Sequence, residues 1–106
     1  MEKVSYKMDD LELVFNSSNI SFNDLEVGQV IIYEYINVHY RIVEIEYDYI
    51  VVTVLKLTNN ILYYLYGDVQ FNIPVESIFS SLKSHGGRLY TLKSVIRTKK
   101  LENLML

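Results

Sequence analysis

Residues 28–57 read GQVIIYEYINVHYRIVEIEYDYIVVTVLKL, a stretch rich in tyrosine and in β-branched residues. Runs of this kind, separated by short polar turns, favour β-strands. The stretch therefore predicts three consecutive strands, at 30–36, 39–47 and 49–57. The third is almost unbroken in Val, Ile and Leu, as expected for a strand in the middle of a sheet with both faces covered.

The second of these strands separates into two faces. Because side chains alternate along a strand, one face is predicted to carry Arg41, Val43, Ile45 and Tyr47, and the other Tyr40, Ile42, Glu44 and Glu46. A tight turn near Asp48 is expected to lead into the third strand.

Shorter strands are predicted on both sides of this stretch. In 11–15 Leu11, Leu13 and Phe15 alternate with Glu12 and Val14, residues 69–73 alternate apolar with polar side chains, and 61–66 read ILYYLY. Residues 88–97 fit either a strand or a helix, and the strand is favoured for the first half by its Tyr and Thr.

One helix is predicted from about Pro74 to His85. Its apolar residues recur at the spacing of a single helix face: Val75, Ile78, Phe79 and Leu82. Proline is tolerated in the first turn, and Gly86 is a typical residue just after the last one. A helix of about three turns is not stable alone, so we expect it to cover a sheet face or plug a barrel end.

These elements predict the fold class. The expected structure is a mostly β single domain over 1–106, with five to six antiparallel strands in a small barrel or sandwich of SH3-like architecture. Residues 1–10 and 98–106 are expected to fray or to take part in self-association. In the C-terminal segment Leu101, Leu104 and Met105 fall at helical spacing and could pair with a second copy.

Composition excludes several classes of protein. The chain has no cysteine, which excludes disulfides and thiolate metal sites. Its N-terminus does not resemble a signal peptide and no apolar run is long enough to span a membrane, so a cytoplasmic location is expected. Alanine is absent whereas Ile, Asn and Tyr abound, which indicates AT-rich coding. Short AT-rich genes are frequent in phages, archaeal viruses and plasmids and equally in AT-rich bacteria, and a mobile-element origin is favoured between the two.

Catalysis, metal binding and cofactor binding are not predicted. Glu44 and Glu46 share a strand face, but this spacing is ordinary on a solvated surface. His39 and His85 are the chain's two histidines and have no nearby ligand-type partners in the sequence. No glycine loop of the phosphate-binding type is present.

A protein-binding surface is the leading prediction. Tyrosines interleaved with acids offer large contact area and negative potential, which suits a basic partner. The candidate residues are Tyr33, Glu34, Tyr35, Tyr40, Glu44, Glu46, Tyr47, Asp48 and Tyr49. In a viral setting, such a surface would inhibit a host protein, including one of host defence, by occupying a basic surface that handles nucleic acid.

Two alternatives remain, and both follow from an uneven charge distribution. Residues 1–50 have a net charge of −7 and residues 51–106 one of +4. The basic half could bind nucleic acid through Lys83, Arg88, Tyr90, Lys93, Arg97, Lys99 and Lys100. The two halves could instead complement each other between copies, which predicts a homodimer or a self-associating virion protein.

Overall fold

The structure, a computed structural model, describes residues 6–15 and 20–94. Within these ranges it contains eight strands and one helix: β1 (Tyr6–Lys7), β2 (Leu11–Phe15), β3 (Val30–Tyr33), β4 (His39–Ile45), β5 (Tyr49–Thr58), β6 (Ile61–Tyr64), β7 (Gln70–Pro74), α1 (Val75–Ser84) and β8 (Gly87–Leu92). Short 3-10 turns occur at Met8–Asp10 and Phe22–Asp24. The predicted mostly β class with one helix is confirmed.

The described strands form one antiparallel sheet that curls strongly into a half-barrel. Its order is β1-β6-β5-β4-β3-β8-β2, and β7 pairs with the first half of β5. The end strands β1 and β2 are consecutive in the chain and are joined by Met8–Asp10, so the two ends of the sheet meet at this corner. The described residues contain eight strands where five to six were predicted: seven coincide with segments that the sequence marks as strands, and the eighth, the two-residue β1, is too short to show periodicity. SH3-like architecture stays a prediction.

The sheet buries apolar side chains on both faces. One cluster, which we call the inner core, joins the two ends of the sheet through Tyr6 and Leu11 and also contains Val30, Ile32, Leu55 and Leu62. The other, the helix-side core, contains the alternate residues Ile31 and Tyr33 of β3 together with Ile42, Val52 and Leu89. Both faces of β3 and β5 are thus covered, as predicted for the most apolar strand.

The helix covers one face of the sheet. Ile78 and Leu82 are buried in the helix-side core, each contributing about 1.5–3 kcal/mol of hydrophobic free energy. The predicted span of 74–85 agrees with the observed helix, which Pro74 precedes and His85 follows. Gly86 then adopts a φ of 64°, which lets the chain leave the helix and enter β8.

A β-bulge makes the predicted faces of β4 wrong for the residues after Val43. The pairing of β4 with β5 shifts between Ile42 and Glu44, so Val43 is an extra residue in β4. Beyond the bulge Ile45 lies opposite Ile50 and packs against the helix-side core, on the same face as Ile42. Glu44 moves to the face of Arg41.

Candidate partner-binding surface

The nine candidate residues lie in three different environments. Two of them, Tyr33 and Tyr40, pack against the helix-side core. Glu34 and Tyr35 belong to the loop between β3 and β4, and the remaining five lie at the turn between β4 and β5. The loop and the turn are at opposite ends of β4, whose seven residues span about 23 Å. The structure therefore does not form one continuous surface from the nine residues.

Tyr33 is a core residue, contrary to the prediction that it meets a partner. Its side chain is 2% exposed. Its ring makes edge-on contacts with Tyr40, at a centroid distance of 5.7 Å, and with His85, at 6.0 Å. Burial raises the pKa of Tyr33 and, less strongly, that of Tyr40. Both rings fill the space between sheet and helix, as Tyr must in a chain with no Trp and four Phe.

Residues 34–38, which we call the tyrosine loop, are attached to the end of the helix. The backbone N–H of Glu34 donates to the Gly86 carbonyl and that of Tyr35 to the His85 carbonyl, both at 3.1 Å. The Arg88 guanidinium lies 3.3 Å from the Glu34 carboxylate, and the two side chains are a little under half exposed. These contacts end β3 at Tyr33 instead of at the predicted Ile36.

A second set of hydrogen bonds attaches the tyrosine loop to β5. The Asn37 side chain accepts from the Leu57 N–H and donates to the Leu57 carbonyl, both at 2.9 Å. Its Oδ1 also lies 3.0 Å from Nε2 of His39. His39 Nδ1 accepts the Tyr33 N–H at 3.0 Å, so the proton of the neutral ring resides on Nε2 and points at Asn37.

His39 is held neutral by its surroundings. The side chain is 2% exposed, and burial lowers its pKa to about 4. The His39 ring thus accepts the Tyr33 N–H in place of a carbonyl from a neighbouring strand. In the same way, the Asn37 side chain pairs with the N–H and the carbonyl of Leu57. Together they give the loop a fixed shape, with a cleft of about 490 Å³ lined by Tyr33, Glu34, Tyr35, Ile36, His39 and Leu57 among others. The Tyr35 ring stays 70% exposed beside this cleft.

Residues 44–49, which we call the acidic turn, have far less support. One backbone bond, from the Glu46 N–H to the Tyr49 carbonyl at 2.9 Å, closes the turn, and a second, from the Val75 N–H to the Asp48 carbonyl at 3.1 Å, links it to the start of the helix. The tip residues Tyr47 and Asp48 project into solvent, and Tyr47 is 90% exposed. No ion pair within the described residues involves an acid of this turn.

The carboxylates of the acidic turn repel one another. A hydrogen bond with Glu44 and the charge of Glu44 raise the pKa of Glu46, and Asp48 adds to the effect. Burial, followed by the charges of Glu46, Glu44 and Asp48, raises the pKa of Tyr49. The turn is therefore a local concentration of negative charge around an exposed aromatic ring.

The predicted nucleic-acid residues do not assemble within the described part of the chain. Lys83 is in the last turn of the helix, Arg88 is paired with Glu34, and Lys93 follows the far end of β8. Tyr90 packs against the inner core. Arg97, Lys99 and Lys100 lie outside the described residues.

Sequence analysis missed a group of exposed apolar side chains within residues 63–71, which we call the aromatic patch: Tyr63, Leu65, Tyr66, Val69 and Phe71. All five side chains are exposed, and the rings of Tyr66 and Phe71 contact each other at a centroid distance of 5.7 Å. The relevant sequence feature is ILYYLY at 61–66, a short segment that is apolar on both faces. A strand of this kind has more apolar surface than one small core covers.

No protein-family model, curated protein or solved structure matches the chain. Within residues 6–15 and 20–94, no three His, Cys, Asp or Glu side chains are placed to hold a metal ion. In the same ranges no helix has the length and apolar character needed to cross a membrane.

Proposed function

We propose that the protein is a non-enzymatic binding module whose acidic turn docks on a basic surface of another protein. The observation that carries the proposal is the 90% exposed Tyr47 at the tip of a turn formed with three carboxylates. The binding residues are Glu44, Glu46, Tyr47, Asp48 and Tyr49. This set is narrower than the nine residues that the sequence suggested.

The energetics of the turn support this choice. Folding gains little from an exposed ring, and it must overcome the repulsion among Glu44, Glu46 and Asp48. A basic partner would neutralise the charges and bury the ring, which is worth about 1.5–3 kcal/mol for a large side chain. Tyrosine is also among the residues that dominate binding energy at interfaces.

The amino-acid composition, which indicates AT-rich coding, supports one biological setting for this interaction. We propose a virus or mobile-element protein that acts inside the host cell and inhibits a host protein by covering its basic, nucleic-acid-handling surface. Acidic side chains would take the place of phosphates in such a complex, and the charge would steer the two proteins together at low salt.

The test compares two exposed tyrosines at opposite ends of β4. Wild type, Tyr47→Ser and Tyr35→Ser are immobilised and exposed to a lysate of the source cell or its host. We expect Tyr47→Ser to lose a basic protein that wild type and Tyr35→Ser both retain, with at least about a tenfold weaker Kd. Retention that is equal in all three, or that does not weaken as salt rises, contradicts the proposal.

Self-association is a second candidate, and the aromatic patch favours it. Five exposed apolar side chains between Tyr63 and Phe71 form a surface that water solvates poorly, and a second copy would cover it. Light scattering over a range of concentrations tests this: we expect a dimer that Phe71→Ser converts to monomer. A monomer at the highest concentration removes this candidate. Nucleic-acid binding stays a prediction that no described cluster favours.

A further inference from the structure

A polar group interrupts the inner face of the half-barrel. In the pairing of the strands, Arg41 of β4 lies between Val30 of β3 and Thr53 of β5. Val30 is fully buried in the inner core. Nε of Arg41 and Oγ1 of Thr53 are both buried, and neither has a hydrogen-bond partner. Two adjacent polar atoms are thus withdrawn from water without compensation, which is rare and costly in folded proteins.

Two tyrosine hydroxyls reach the same place from the end strand and its neighbour. The hydroxyls of Tyr6 and Tyr64 lie 3.3 Å apart, with the ring centroids 6.3 Å apart. Burial and the contact with Tyr64 raise the pKa of Tyr6 to about 12, while the charge of Arg41 and a side-chain hydrogen bond between Arg41 and Tyr6 act in the opposite direction. The guanidinium is therefore close to the paired hydroxyls.

Within the described part of the chain, no carboxylate forms an ion pair with Arg41; the ion pair found there joins Arg88 and Glu34. Glu44 is on the same face but lies opposite Val51, beyond the bulge, and its side chain is exposed. An arginine remains charged at any physiological pH and offers a planar set of N–H donors. The site has hydroxyl and guanidinium donors and lacks an anion.

We propose that Arg41 and Thr53, with the hydroxyls of Tyr6 and Tyr64, bind an oxyanion, either a carboxylate or a phosphate group. The guanidinium fork matches two oxygens of such a group, and the Thr53 hydroxyl donates a further hydrogen bond. Gln70, which lies opposite Thr53 on β7 and is exposed, marks the side from which the anion enters.

The direct test follows the Nε–Hε resonance of Arg41 by NMR while inorganic phosphate or acetate is added to the whole chain. We expect a saturable shift at millimolar concentration, and the stronger of the two anions identifies phosphate or carboxylate as the ligand class. Arg88 is the internal control, because its guanidinium already faces Glu34. If neither anion moves the Arg41 resonance, or if Arg41 and Arg88 move alike, the proposal is wrong.

Three substitutions sharpen the test. Thr53→Val keeps the side-chain shape and should weaken binding about tenfold, since one hydrogen bond to a charged group is lost. Arg41→Met should abolish binding, and Glu44→Gln should strengthen it severalfold by removing a nearby negative charge. At ten times Kd the anion should raise the Tm of wild type by about 5 °C.

The same substitutions separate specific binding from a general salt effect. Phosphate stabilises many proteins by exclusion from their surface, and this component should remain in Arg41→Met. Stabilisation that is equal in wild type and Arg41→Met overturns the proposal. Thr53→Val decides the outcome if Arg41→Met does not fold, because unchanged affinity in Thr53→Val is also incompatible with the site.

Discussion

The two ends of β4 have similar residues and opposite organisation. At one end the tyrosine loop has an acid and an exposed tyrosine, but Arg88 neutralises Glu34 and hydrogen bonds to Gly86, His85 and Leu57 fix the backbone. At the other end, the carboxylates of Glu44 and Asp48 lie close enough to raise the pKa of Glu46, and the side chains have no ion pair; two backbone bonds, within the turn and to Val75, hold the chain. Composition alone does not distinguish the two ends.

The difference separates structural from functional use of the same residue types. Glu34 and Asn37 contribute to folding because each has a partner in a distant strand. The side chains of Tyr47 and its neighbouring acids have no distant hydrogen-bond or ion-pair partner among the described residues; only the Asp48 backbone carbonyl has one, the Val75 N–H. Charge that opposes folding is the better candidate for binding.

The largest expected effect is a loss of folding stability at acidic pH, which acts on the tyrosine loop through His39. His39 has a folded pKa of about 4 against about 6.5 in the unfolded chain. The unfolded state therefore binds the proton more readily than the folded state does. The contribution of neutral His39 to the free energy of unfolding is complete above pH 6.5 and falls as pH decreases towards 4. The total loss, complete only below about pH 4, is on the order of 3 kcal/mol, and roughly 2 kcal/mol of it should appear in urea unfolding between pH 7 and 5.

Two variants assign this loss to His39. In His39→Gln the slope of stability against pH between 7 and 5 should become shallow, whatever the stability of the variant itself. In His85→Gln the slope should match that of wild type. A steep slope that persists in His39→Gln would mean that other groups cause the loss, and the loop would then not be the acid-sensitive end of β4.

The next effect removes the link between the tyrosine loop and β5. Asn37→Ala eliminates both hydrogen bonds to Leu57 and leaves the His39 Nε2–H without its acceptor. We expect a loss of about 2–3 kcal/mol in the free energy of unfolding. Asn72→Ala, an exposed asparagine of β7, is the control and should change stability by less than about 0.5 kcal/mol. Equal losses would show that the network does not stabilise the fold.

Local patterns in the sequence predicted much of this fold. The spacing of Val75, Ile78 and Leu82 together with Pro74 located the helix, since these features depend on neighbouring residues. The run at 49–57 correctly predicted the doubly covered strand. The turn at Thr58-Asn59-Asn60 was also predictable, because Asn tolerates the positive φ that both Asn59 and Asn60 adopt.

Which of the nine candidate residues are free to bind was less predictable, because it depends on contacts between distant residues. Arg88 and Glu34 are 54 positions apart, and Asn37 reaches Leu57 across 20 positions. The bulge at Val43 leaves no mark in a pattern of period two, yet it decides which face Glu44 occupies. Periodicity also does not show that Tyr33 is buried while Tyr35, two residues later, is exposed.

A smaller effect tests how closely the tyrosine loop contacts the end of the helix. Gly86 and Gly67 share a φ of 64°, so alanine at either position carries the same backbone strain, about 1 kcal/mol. A Cβ at Gly86 would also meet the Tyr35 ring at 2.9 Å, whereas at Gly67 it would meet nothing within 4 Å. Thermal unfolding should show Gly86→Ala to be less stable than Gly67→Ala by about 1 kcal/mol. Equal losses would indicate that the Tyr35 ring moves aside freely.

The smallest effect concerns the acidic turn and has the opposite sign. Glu46→Gln removes a charge that Glu44 and Asp48 repel, so the Tm should rise, by no more than about 2 °C because the carboxylate is in water. The gain should shrink as salt screens the repulsion, and Glu12→Gln, an exposed acid of β2, should show no such salt dependence. A Tm that falls in Glu46→Gln would reveal a stabilising contact of this carboxylate, and the acidic turn would then resemble the tyrosine loop instead of contrasting with it.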